Sequence, residues 1–156
     1  MEQAFLQNIQ QHQNIIYKVC NLYRDRREDQ EDLFQEIVYQ LWKAYPGFKG
    51  ESKLSTWMYR IALNTAIAAY RKPKIEIAYP EELPDHVHYG VDTNSSENEQ
   101  LLFRALRTLT DAEKAVISLY LEDYSYQEIA AITGLTESNV GARLNRIKTK
   151  LKERLN

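Results

Sequence analysis

A single cysteine, Cys20, stands among the 156 residues. One cysteine excludes an intrachain disulfide. Its neighbours Ile16, Val19 and Tyr23 mark it as a small buried hydrophobe rather than a reactive thiol. Histidine is nearly as scarce: His12, His86 and His88 are too scattered to make a metal set, and no metal or other cofactor is expected. The acids Asp25, Glu28, Asp29, Glu31 and Asp32 form a run along the chain rather than a converging cluster. An enzyme would need clustered carboxylates or a histidine/cysteine set, so no catalytic residue is assigned. No apolar run approaches the length that spans a bilayer. The opening MEQAFLQNIQ lacks the basic start and apolar run of a signal peptide. A cytoplasmic chain without membrane insertion is the expectation.

What is present is a soluble globular balance, with 44 % hydrophobic and 27 % charged residues. The length suits one domain or two small ones. A formal net charge of −2 argues weakly against a polyanionic partner, but its distribution reverses that. Residues 73–98 hold Lys74 against Glu76, Glu81, Glu82, Asp85, Asp92 and Glu97, which leaves the flanking parts net basic.

The most informative stretch is residues 32–72, which reads as two helices around a short polar loop. Leu33, Ile37 and Leu41 repeat at steps of four, with Val38 and Tyr45 beside them, while Asp32, Gln35 and Glu36 fall on the other side. Pro46 and Gly47 end this helix. The second carries Leu54, Trp57, Met58, Ile61, Ala62, Thr65 and Ala68 at steps of three and four, with Ser52 or Ser55 as its expected N-cap. From Lys49 onward the bases Lys49, Lys53, Arg60, Arg71 and Lys72 face one acid, Glu51. Phe48 and Trp57 beside these cations, with Ser55 and Thr56 as short donors, supply what an unstacked nucleobase needs: a face, charge and hydrogen bonds. A solvated loop over an ordinary core, with Trp57 simply buried, fits the same residues.

Around it the chain reads as helix throughout. Residues 2–24 place Phe5, Ile9, Ile16, Val19 and Tyr23 on one stripe. The mixed-charge run Arg24 to Asp32 is expected to be a turn. Residues 73–96 hold Pro73, Pro80, Pro84 and Gly90 and keep no helical stripe, so they read as an extended acidic linker with Ile75, Ile77 and Tyr79 as its contact points. Helices resume at Glu97, with Leu101, Leu102, Ala105, Leu106 and Leu109 on one face. Thr110 or Asp111 caps the next helix, and the order Thr110 to Glu113 fits a capping box. Ser125 caps a short helix that Gly134 ends, and Thr136 caps a long last helix with Val140, Leu144, Ile147 and Leu151.

Short helix, glycine turn and capped second helix form the helix-turn-helix pattern, whose second helix enters the major groove by its N-terminal end. Its exposed positions include Glu137, Ser138, Asn139, Gly141, Ala142, Arg143, Asn145 and Arg146. Asparagine pairs with adenine and arginine with guanine. Lys148, Lys150, Lys152 and Arg154 continue a basic face towards phosphates. A plain amphipathic helix packing on its neighbours is the other reading. The fold class expected is all-α: two small helical domains, 1–72 and 97–156, joined by the linker 73–96.

The stretch DLFQEIVYQLWKAYPGFKGESKLSTWMYRIALN resembles region 2 of the extracytoplasmic-function sigma factors of the bacterial sigma-70 family. The resemblance rests on Asp32-Leu33, Gln35-Glu36, Phe48, Gly50, Ser55-Thr56-Trp57, Tyr59 to Ala62 and Asn64. The C-terminal half resembles region 4 of the same family, in the same order. The resemblance implies a factor that binds core RNA polymerase, takes it to promoters and helps open the duplex, and that is not itself an enzyme. It implies that Asp32, Gln35, Glu36 and Trp42 meet the polymerase. It implies that Phe48 to Trp57 and Asn64 capture the single-stranded non-template minus-ten element, with Phe48 and Asn64 holding a flipped base. Thr136 to Arg146, with Ser138 and Asn139 among them, would read the upstream minus-thirty-five duplex. Gly141 departs from the family, which often has a base there, and Ala142 stands where a hydroxyl is common; contacts would shift to Arg143 and Arg146. An anti-sigma factor is the implied regulator. A stand-alone helix-turn-helix repressor or activator is the competing function; it would bind a palindromic duplex without polymerase.

Overall fold

The computed structural model describes residues 2–71 and 96–155. Linker residues 73–95, with Ile75, Ile77, Tyr79, His86 and His88, lie outside the described residues, as does Lys72. Among the described residues there are seven α-helices and no strand, so the chain is all-α. They fall into two compact units.

The first unit holds α1 (Glu2–Tyr23), α2 (Arg27–Ala44), one 3-10 turn (Tyr45–Gly47) and α3 (Leu54–Arg71). Each of the three helices packs on the other two. Phe5, Ile16, Val19, Phe34, Ile37, Val38, Leu41 and Met58 are fully buried between them. Burying each such side chain is worth about 1.5–3 kcal/mol against exposure, which is what holds three short helices together. The turn into α2 is shorter than the charge run suggested, because α2 already begins at Arg27. Glu28 and Asp29 complement its dipole, and Arg27 pairs with Glu31 one turn on, at 3.0 Å. Gln30 is buried there, and its amide donates to Asn21 Oδ1 and to the Arg24 carbonyl.

The face of α3 differs from the expected stripe. Met58, Tyr59, Ala62, Leu63 and Ala66 are buried, whereas Leu54, Trp57, Ile61 and Thr65 are half-buried and Ala68 is exposed. The buried face is therefore turned by about one residue, towards Tyr59 and Leu63. Trp42 and Trp57 stand at the rim of the core rather than inside it. Neither serine caps α3: Lys53 precedes it, and the Lys53 carbonyl accepts from the Trp57 amide at 3.0 Å.

The second unit comprises α4 (Glu97–Leu106), α5 (Asp111–Leu121), α6 (Tyr126–Thr133) and α7 (Glu137–Leu155), with α7 packed on the other three. Three caps form as the sequence indicated. Thr110 with Glu113 and Ser125 with Glu128 are complete capping boxes, and Thr136 accepts from the Asn139 amide at 3.1 Å. Gly134 ends α6 at φ +80°, a left-handed conformation that a side chain would strain. Val140, Leu144 and Ile147 are fully buried.

Candidate nucleic-acid interface

In the first unit the loop between α2 and α3 is built on aromatic contacts. The Phe48 ring lies 4.9 Å from Trp57, tilted by 39°, and Trp57 lies 6.3 Å from Tyr45. Tyr45 in turn lies 5.2 Å from Phe5, which lies 4.9 Å from Trp42. Phe48 and Trp57 are both half-buried, so each keeps part of its surface towards solvent. Gly50 takes φ +74°, which gives the loop its bend. A Cβ there would touch nothing within 4 Å, so the constraint is conformational and not spatial. Lys49, Lys53 and Arg60 are exposed around this rim, and Ser55 and Thr56 are half-buried in the first turn of α3. Asn64 is exposed two turns beyond Trp57 on the same side of α3, about 10 Å along the axis. The structure thus brings Phe48 to Trp57, and leaves Asn64 at the far end of the same strip.

On α2, Asp32 is exposed, and Gln35, Glu36 and Trp42 are half-buried. The polar face is less free than its sequence suggested. Glu36 accepts from the Gln40 amide at 3.2 Å, and Gln35 is also engaged within the chain.

In the second unit the exposed side of α7 carries Ser138, Asn139, Asn145, Arg146 and Lys148, with Thr136 just before it and Arg143 half-buried. Arg143 Nε donates to Asn139 Oδ1 at 2.8 Å, so these two form one unit. Gly141 faces α6: a Cβ there would lie 3.5 Å from the Tyr126 ring. The basic run beyond is largely tied down. Lys148 sits 4.8 Å over the Tyr120 ring, Lys150 bonds both oxygens of Glu113, and Arg154 bonds the Thr108 hydroxyl. Lys150 and Arg154 thus also bind within the unit itself, while Lys152 is exposed.

Two groups show perturbed acidity. Burial pushes the Cys20 thiol far up, against a smaller opposing effect of Arg24. Burial would also raise Glu113, but the hydrogen bonds from Lys150 and Thr110 outweigh it and hold the carboxyl below its usual range. Among the described residues no group of histidine, cysteine and acids is placed to hold a metal ion, and no helix is long and apolar enough to cross a membrane.

An aromatic, cation-rimmed loop on a three-helix unit, followed by a helix-turn-helix unit, matches two known protein families in the same order. Sigma-70 region 2 matches residues 9–74, and sigma-70 region 4 matches residues 99–151. The ECF RNA polymerase sigma-E factor of Haemophilus influenzae is 30 % identical over 171 aligned residues, covering 99 % of this chain and 88 % of that protein. The sigma-E factor of Escherichia coli K12 is 31 % identical over 143 residues, covering 77 % and 70 %. Among solved structures, the sigma factor RpoE of Bartonella quintana, in complex with the anti-sigma factor NepR, superposes with a TM-score of 0.74. That alignment covers 97 % of this chain and 96 % of RpoE at 22 % identity, a likeness of fold.

The chain belongs to the sigma-70 family of transcription initiation factors, and within it to the extracytoplasmic-function RNA polymerase sigma factors. It is thus an alternative sigma factor, which directs core polymerase to specific promoters and promotes opening of their DNA.

Three features are not apparent from the sequence pattern. Tyr59 and Leu63 enter the core beside polar neighbours that blur the periodicity. Tyr45 proves to be the hinge of the aromatic chain. Tyr126 lies against Gly141, and only the crossing of α6 and α7 brings them together.

Proposed function

We propose a division of labour between the two units, with the boundaries 1–72, 73–96 and 97–156. In the first, Asp32, Gln35, Glu36 and Trp42 dock on core polymerase. Phe48, Lys49, Lys53, Ser55, Thr56, Arg60 and Asn64 receive the non-template strand of the minus-ten element as it leaves the duplex. The observation that carries this is the partly exposed Phe48–Trp57 pair beside the exposed cations Lys49, Lys53 and Arg60. Opening a base step costs stacking, and stacking an extruded base on an aromatic returns about 1–3 kcal/mol. In the second, Thr136, Ser138, Asn139, Arg143, Asn145, Arg146 and Lys148 face the upstream duplex. The chain performs no catalysis of its own; synthesis belongs to the polymerase. It works in the cytoplasm and is held in reserve by an anti-sigma factor, as the complex of the Bartonella relative suggests.

Photocrosslinking in the reconstituted holoenzyme tests the division. Probes on the single-stranded non-template minus-ten element should crosslink within residues 48–64, and probes on the upstream duplex within 136–148. Tight, unaided crosslinking of the free protein to a palindromic duplex would favour a stand-alone regulator instead.

A further inference from the structure

The loop that offers Phe48 is not anchored by its own residues alone. The Phe48 amide donates to the Tyr45 carbonyl at 3.0 Å, and the Phe48 ring rests on Trp57, which itself faces Tyr45. Tyr45 thus meets Phe48 twice, directly through the backbone bond and indirectly as a neighbour of the Trp57 ring. The Tyr45 ring is held between Phe5 and Trp57, contacts that allow a ring to slide and tilt. What removes that freedom is directional: the Asn8 side-chain amide donates to the Tyr45 hydroxyl at 3.1 Å, across 37 residues of sequence. Asn8 is in turn fixed in α1. The helix bends at His12 (φ −118°, ψ 15°), and His12 Nδ1 donates to the Asn8 carbonyl at 3.1 Å.

We propose that Asn8 and Tyr45 are positioning residues for promoter opening: their hydrogen bond presets the Phe48–Trp57 platform on which the first extruded base is captured. This rests on the strand-capture reading of the loop given above. A preset platform spends none of the stacking energy on ordering itself, so the bond matters while the duplex is being opened. Once a strand is supplied already unpaired, there is less opening cost to recover, and the bond matters less.

The test uses holoenzyme reconstituted from core polymerase and the full chain, on a duplex promoter and on the same promoter with a pre-melted minus-ten bubble. Tyr45→Phe removes only the hydroxyl, and Asn8→Ala removes its donor. Each should slow open-complex formation on the duplex by about two- to tenfold, the range one net hydrogen bond supports. The loss on the bubble should be smaller, and co-purification with core unchanged. Asn8→Asp, whose carboxylate accepts from the Tyr45 hydroxyl, should restore the wild-type rate. The double variant should be no slower than either single one. Wild-type rates in both single variants on the duplex overturn the proposal. So does an equal loss on duplex and bubble, which would make the bond a plain staple between α1 and the end of α2. A wild-type holoenzyme that opens promoters without engaging Phe48 would instead refute the capture reading beneath it.

Discussion

The ammonium of Lys150 on α7 donates to both carboxylate oxygens of Glu113 on α5, at 3.0 and 2.8 Å. Glu113 is simultaneously the reciprocal member of the capping box, accepting from the Thr110 amide at 3.0 Å. One carboxylate, 8 % exposed, thus closes the start of α5 and pins the last helix to it. Because its acidity is strengthened on folding, its contribution is complete above the ordinary carboxylate range. The contribution fades as pH falls through that range towards the lowered folded value. Glu113→Gln should destabilise the C-terminal unit by about 1–3 kcal/mol at neutral pH, the cost of losing a charge-assisted hydrogen bond and weakening a cap. Urea unfolding at pH 7 and below pH about 4 checks this. The variant and the wild type should converge in acid, and a gap that is unchanged or wider there contradicts the linkage.

Polymerase docking is assigned to the outer side of α2. Asp32→Arg with Glu36→Arg should abolish co-purification with core polymerase while far-ultraviolet circular dichroism stays unchanged. Glu36 also holds Gln40, so Gln40→Ala serves as a control and should leave core binding intact. Wild-type binding by the double variant would remove α2 from the interface.

Strand capture is assigned to the strip from Phe48 to Asn64. Phe48→Ala and Asn64→Ala should each reduce open-complex formation on duplex promoters, and less so on a pre-melted template. Losing a base stack of about 1–3 kcal/mol corresponds to a fall of roughly five- to a hundredfold for Phe48→Ala. Equal losses on both templates would show that these side chains do not capture the strand.

Upstream recognition divides between a coupled pair and a single side chain. Since Arg143 bonds Asn139, Arg143→Ala and Asn139→Ala should be non-additive in upstream-element binding. Arg146→Ala should weaken activity at promoters with an upstream element and spare those that depend on the minus-ten element alone. Its salt dependence reveals its role. A slope reduced by about one unit, with base preference kept, means a phosphate contact. An unchanged slope with relaxed base preference means a base contact worth about 1–3 kcal/mol. Full activity with neither change would leave the groove-facing side of α7 unsupported.

Much of this architecture is legible in the residues, and what is legible is local. The caps at Thr110, Ser125 and Thr136 and the turn at Gly134 involve neighbours three or four residues apart, so short-range chemistry specifies them. The face of α3 is less legible. Its apolar positions run around more than half the helix, and packing against α1 and α2 selects Tyr59 and Leu63 over Ile61 and Thr65. Pairs such as Asn8–Tyr45 and Glu113–Lys150 are each 37 residues apart and are not legible at all. Nothing in a polar side chain announces its partner until the helices that carry both have packed. The bonds of Lys150 to Glu113 and of Arg154 to Thr108 are hidden from the sequence for the same reason.

As a sigma factor, this chain should give core polymerase its promoter specificity. Run-off transcription measures it directly, using purified core polymerase with and without the protein, on its cognate promoter and on one with a scrambled minus-ten element. A defined transcript should come from the cognate template only when the protein is present, and none from the scrambled template. Equal transcription with and without the protein, or a transcript indifferent to the minus-ten sequence, would contradict it.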